Sequence, residues 1–289
     1  KHRILKGGIM IKTCNKTVVE VNDMGWKGSK LRCLLLTSMS KEELQESLIH
    51  IIGQETIEKL KIKFTDDFDY FPKGLANPRE IELDKEKIPI YRSIDYCTTL
   101  NKWWLKKSAR TPVWDLVCKA EIDGLPGVIL VEAKAHNNEL YKKNDKTGSE
   151  KGSANYNRIK EALKLVNTRY KYNLSPDTHY QLSNRIAWSI KLASLGIPVV
   201  LIYLGCINTE EMESSINKND SLIKGKKDWK ELVEKYSGEV GFKEWEEKIP
   251  GNGLQEEDST ITPSFVYPII RAENIRLEKG EINITCTIE

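Results

Sequence analysis

Three residues near the middle of the chain have the types and spacing for metal-assisted chemistry. In TPVWDLVCKAEIDGLPGVILVEAKA, residues 111–135, Glu132 and Lys134 interrupt an apolar run, Val128–Val131, that otherwise reads as a buried strand. Residues two apart on a strand share a face, so Glu132 and Lys134 project together while Ala133 points away. Asp115 lies on the preceding β-like run, Trp114–Ile122. If Asp123-Gly124 is a two-residue turn, Asp115 stands opposite Glu132, with Cβ atoms roughly 4.5–5.5 Å apart. A four-residue loop, Gly124–Gly127, also keeps the three side chains on one face and spares Pro126 a ladder position it cannot fill. An odd-length loop without a bulge turns Asp115 to the other face.

Two carboxylates converging at a strand end are costly unless a cation neutralises them. Ligands of this type suit Mg²⁺ or Mn²⁺. Such an ion polarises a phosphodiester and lowers the pKa of a bound water. A nearby lysine orients that water and balances charge developing on phosphate. The competing reading is a hairpin with a surface Asp and a decorative Glu-x-Lys ladder, since Glu-x-Lys alone means little in a chain that is 30% charged.

The elements that must position these residues follow from pattern. Ile9–Ile11, Thr17–Val21 and Leu31–Leu36 read as short strands. Ser40 and Glu43 have capping-box spacing and open a helix that buries Leu44, Leu48 and Ile51. Residues 64–90 read as irregular. A helix is predicted over Ile94–Lys107, then strands Trp114–Ile122 and Val128–Ala135, then a Lys-rich mobile loop, Asn137–Ser153. Helices over 155–171 and from Gln181 to Gly196 follow, the second stopped by Gly196 and Pro198. Val199–Leu204 is apolar throughout, as a strand covered on both faces should be. A polar linker, a helix around Lys227–Tyr236 and a β-like tail, Ser264–Arg276, complete the chain.

Asp115, then Val-Ile-Leu-Val-Glu-Ala-Lys, then helix and Val-Val-Leu-Ile-Tyr resemble the PD-(D/E)xK nuclease superfamily across roughly residues 94–207. The superfamily's Pro-Asp pair is not intact, since Pro112 lies three residues before Asp115. The resemblance implies an α/β fold with a restriction-endonuclease-like core: a mixed central sheet flanked by helices, in one domain. Residues 9–93 and 208–289 become N- and C-terminal β/α additions. It also implies that Asp115, Glu132 and the Ala133 carbonyl bind Mg²⁺ or Mn²⁺, and that Lys134 is the catalytic lysine. Gln181 resembles the glutamine that many members carry on the helix after the lysine. The implied activity is phosphodiester hydrolysis, with DNA favoured over RNA. Many members act as homodimers, so a homodimer is compatible with the resemblance. The alternative is a catalytically inactive nuclease-like module that binds nucleic acid or protein; an intact Asp115/Glu132/Lys134 set argues against it.

Other residues are candidates to meet nucleic acid. Gln181, Arg185 and Trp188 share one helical face, with Ile186, Ile190 and Ala193 on the other. In NKWWLKKSAR, residues 101–110, Lys102, Lys106, Lys107 and Arg110 interleave with Trp103 and Trp104, a pattern that neutralises phosphates and stacks bases unless the tryptophans are core. Asn155, Asn157 and Arg158 open a helix whose N-terminus can bind phosphate. Glu42, Glu43 and Glu46 are candidates for a further acid, although capping and solvation explain them as well. His136 follows the lysine closely as an edge or supporting group.

Composition sets the frame. At 289 residues, 39% hydrophobic, with a net charge of +3, the chain has enough apolar material for a sizeable core and no global basic excess. A nuclease needs only a local basic surface. Cysteines 14, 33, 97, 118, 206 and 286 form no CxxC pair, which suggests reduced thiols. No run is apolar enough for a membrane span, and KHRILKGGIM holds no secretory apolar core, so a cytoplasmic protein is expected.

Overall fold

The computed structural model describes residues 8–12, 26–85, 96–140, 145–215, 221–254, 261–275 and 283–287. In chain order its elements are β1 (Gly8–Lys12), α1 (Gly28–Thr37), α2 (Lys41–Ile52), α3 (Gln54–Lys59), β2 (Tyr70–Phe71), β3 (Ile81–Glu82), α4 (Tyr96–Trp104), β4 (Val113–Trp114), β5 (Leu116–Ile122) and β6 (Leu125–Lys134). Then come α5 (Ala154–Tyr170), α6 (Tyr180–Ser194), β7 (Val199–Cys206), α7 (Lys226–Glu239), β8 (Ile249–Pro250), β9 (Phe265–Glu273) and β10 (Asn283–Thr287). The expected strand at Thr17–Val21 lies outside the described residues, as do residues 141–144 of the Lys-rich loop.

A six-stranded mixed sheet in the order β2-β5-β6-β7-β9-β8 forms the centre. β5 and β6 are an antiparallel hairpin, whereas β6, β7 and β9 run parallel. One face, with Val128, Leu130, Leu201 and Tyr203, packs against residues of α4, α5, α6 and α7. The other, with Ile129, Val131, Ile202 and Leu204, packs against α1 and α2. β7 is buried along its whole length, which is why VVLIYLGC carries no polar side chain except the Tyr203 hydroxyl. At Gly205 a Cβ would come within 2.7 Å of the Trp229 ring, so glycine lets α7 lie directly on β7. Among the described residues no helix is long and apolar enough to cross a membrane.

The two alternatives for the hairpin are resolved in favour of the two-residue turn. Asp123 (φ 53) and Gly124 (φ 80) both occupy the left-handed region, as a type I′ turn requires. Leu116 then pairs with Val131 and Ile122 with Leu125. Pro126 sits opposite Glu121, between hydrogen-bonded pairs, so its missing N–H points away from β5 and past the start of β7. The ladder loses nothing to it.

One predicted strand is a helix. Leu31–Leu36 lies within α1, buried from Leu31 to Thr37. A short apolar run does not distinguish a buried strand from a buried helix, and this one lacks β-branched residues and is rich in the helix-forming Leu. The Ser40 capping box is present: Ser40 accepts from the Glu43 N–H at 3.2 Å, and Glu43 accepts from the Ser40 N–H at 3.0 Å. The sheet also draws on both flanking segments, taking β2 from the first and β8 and β9 from the second.

Candidate active site

The hairpin ladder stops one residue short of the acids. β5 begins at Leu116, and the chain bends at Asp115, while the preceding pair, β4, joins β3 instead. The Asp115 carboxylate takes over the vacated position: Oδ2 accepts the Ala133 N–H at 2.8 Å. This seats Asp115 against the residue between Glu132 and Lys134. N–H and C=O of one strand residue point to the same side, so the Ala133 carbonyl also faces the edge that β5 has left.

Glu132 is 1% exposed, and both of its oxygens have cationic partners. Lys134 Nζ donates to Oε1, and Arg185 Nε donates to Oε2 at 2.5 Å. Arg185 also donates to Asn184 Oδ1 at 2.7 Å and to the Val113 carbonyl at 2.6 Å, and its guanidinium lies 4.6 Å from the Trp114 ring centre. Burial alone would raise the Glu132 carboxyl, but Arg185 and Lys134 outweigh it and hold it below the usual range. Lys134 is raised by Glu132 and Asp115 despite its burial, so it stays a cation.

Asp115 is the undercompensated acid. Burial, then the negative charge of Glu132, pushes its carboxyl up to about 7, against the opposing pull of Lys134. Among the described residues no three His, Cys, Asp or Glu side chains group at metal-ligand spacing. An ion here would therefore rest on two carboxylates and a carbonyl. That all-oxygen set, with one acid short of positive charge, fits a hard divalent cation.

A raised carboxyl destabilises the fold once it ionises. The native state keeps a proton that the unfolded chain releases from about pH 4, so stability falls as pH rises toward about 7 and the loss is complete above it. Asp115→Asn retains an oxygen for the Ala133 N–H and removes the charge. Without added metal it should exceed wild type by about 2–4 kcal/mol at pH 8, with the gap closing near pH 4. Urea unfolding in EDTA at both pH values checks this; equal stabilities at pH 8 would contradict it.

Asp115, Glu132, Ala133 and Lys134 line a cavity of about 490 Å³, together with Gln181 and Arg185 of α6. Ile186 and Ile190 are buried as expected. The expected polar face of α6 is not solvated, however, since every residue from Leu182 to Ser194 is buried. Arg185 is thereby committed to Glu132 rather than open to a phosphate. Lys102, Lys106, Lys107 and Arg110 are exposed and do not line this cavity. Trp103 and Trp104 are both buried, packed at 6.1 and 5.8 Å from Trp188, and cannot stack on bases.

The predicted phosphate site at the start of α5 has another use. Asn155 accepts from the N–H groups of Lys106 and Lys107 at 2.9 and 2.8 Å, and Arg158 donates to the Lys102 carbonyl at 2.9 Å. These side chains tie α5 to the end of α4. Of Glu42, Glu43 and Glu46, none lines the cavity; the N-terminal segment sends Glu80 there. His136 pairs with Glu139, another lining acid, at 3.1 Å. Glu80, Glu139 and Asp145 carry no sequence pattern that marks them: Glu139 arrives on the short turn just after β6, held by the Ala135 N–H and His136, while Glu80 and Asp145 reach the cavity through tertiary packing.

No family model matches the chain, and neither a curated protein nor a solved structure matches it significantly.

Proposed function

We propose that this chain is a divalent-metal-dependent nuclease with a PD-(D/E)xK-type centre at Asp115, Glu132 and Lys134, and that DNA is favoured over RNA as its substrate. The observation that carries the reading is the Asp115–Ala133 hydrogen bond, which seats an undercompensated acid between Glu132 and Lys134 in one cavity. The β5–β6 hairpin beside parallel β7 supports a restriction-endonuclease-like core. Mg²⁺ or Mn²⁺ held by Asp115, Glu132 and the Ala133 carbonyl would supply Lewis acidity and a water of lowered pKa.

The chain's own residues divide the remaining work. Lys134, a buried cation beside both acids, orients the attacking water and balances charge on the phosphate. Arg185 holds Glu132 ionised and fixed. Gln181, a residue of the cavity wall, is assigned to the phosphate or the acids. The exposed Lys102, Lys106, Lys107 and Arg110 neutralise backbone phosphates outside the cavity.

The test is cleavage of plasmid DNA, single-stranded DNA and RNA in Mg²⁺, Mn²⁺ or EDTA by wild type and Glu132→Gln. Metal-dependent cleavage that the substitution abolishes is expected. Cleavage surviving EDTA would place the activity elsewhere. Retained nucleic-acid binding without any cleavage would favour an inactive binding module.

A further inference from the structure

The helix that carries Gln181 and Arg185 has no cap of its own. His179, at its N-cap, is in the left-handed region (φ 49) and makes no side-chain capping bond. The donors of the first turn are served from outside. Both Asp145 carboxylate oxygens accept the Gln181 N–H at 3.1 Å, and the Asp145 carbonyl accepts the Tyr180 N–H at 3.2 Å. A carboxylate in this position also suits the positive end of the helix dipole. Asp145 lines the candidate active-site cavity as well.

Asp145 is in turn held by α7. Tyr236 donates its hydroxyl to Asp145 Oδ2 at 3.1 Å. Burial, and then the charge of Asp145, keep that phenol above its usual range, so it remains a donor. Nearby, Glu239 lies 3.0 Å from His179 Nε2, and the His179 ring stands edge-on to Tyr236 at 4.7 Å. α7 rests on β7 at Gly205, two residues beyond Tyr203, the partner of Glu132 in the sheet register. α7 therefore runs from β7, the strand paired with that of Glu132, to the start of α6.

We infer that Asp145 and Tyr236 are positioning residues for the proposed cleavage: through them α7 sets the first turn of α6, and with it the places of Gln181 and Arg185 beside Glu132. The inference rests on the nuclease reading for its reaction, but its hydrogen-bond chain is measurable without any reaction.

The experiment uses the full chain with Tyr236→Phe, Asp145→Ala and Asp145→Asn. Tyr236→Phe, which removes only the hydroxyl, should lower kcat about tenfold with KM held within about twofold. It should also accelerate hydrogen exchange at the amides of Tyr180 and Gln181 about tenfold. Asp145→Asn keeps an acceptor for the Gln181 N–H and should lose about tenfold less kcat than Asp145→Ala. Equal losses in the two, with exchange at the Gln181 amide still slow in Asp145→Asn, would make the Asp145 charge itself part of the chemistry and overturn the positioning role. Unchanged exchange in Tyr236→Phe overturns the inference whatever the kinetics. If wild type cleaves nothing, the nuclease reading fails, and the exchange rates still decide whether α7 holds α6 through Asp145.

Discussion

Replacing Lys134 by Met should lower cleavage by about 10²–10³ while leaving the fold and metal binding in place. The residue is 5% exposed and its ammonium donates to Glu132 Oε1, so methionine fills the same buried space without charge. Glu132 remains paired through Arg185 Nε, which prevents the loss of one cation from orphaning the carboxylate. Removal of Lys134 also frees Glu132 Oε1 for a metal ion, so Mn²⁺ affinity should hold or rise. Cleavage rates and Mn²⁺ titration of the same preparation separate these effects. Equal cleavage by the variant and wild type would remove Lys134 from the chemistry. Loss of Mn²⁺ binding would instead make the lysine part of the cation site's architecture.

Arg185→Met should act on stability rather than on chemistry alone, at a cost of about 3–5 kcal/mol. The guanidinium serves Glu132, Asn184 and the Val113 carbonyl together and stacks on Trp114. Without it, buried Glu132 keeps a single cationic partner and the Val113 carbonyl loses its donor. Arg185→Lys should recover only part of the loss, because an ammonium cannot reproduce the planar fork or the stacking. Because Arg185 holds Glu132 below its usual range, this stabilisation is present above the ordinary carboxylate pKa and is lost as pH falls through the depressed folded value. The penalty should therefore be full at pH 7 and shrink in acid. Denaturant unfolding of wild type, Arg185→Met, Glu132→Gln and the double variant measures the coupling; a coupling near zero would contradict the buried pairing.

Several parts of this arrangement are legible in the chain itself because their causes are local. The Asp123-Gly124 turn follows from the residues that tolerate positive φ, and it sets the hairpin register that brings Asp115 to the end of the ladder beside Glu132. The two-residue period of a strand places Glu132 and Lys134 together. The Ser40–Glu43 box and the unbroken apolar run of β7 are likewise determined within a few residues. Where local cause is ambiguous, the tertiary structure decides. The apolar run Leu31–Leu36 does not by its pattern separate a buried strand from a buried helix; its leucines favour the helix, and α1 packs on the face of the sheet formed by Ile129, Val131 and Ala133. A polar stripe such as Gln181–Arg185 suggests solvent, yet Arg185 is buried because Glu132, 53 residues earlier, offers it a charge partner inside the protein. Asp145 has no pattern around it at all. Its place at the head of α6 depends on a hydroxyl from α7, 91 residues further on, and no window of sequence contains both ends of that contact. Short-range geometry thus brings the acids and lysine together, while long-range burial and charge pairing determine which of them are compensated and what holds them in place.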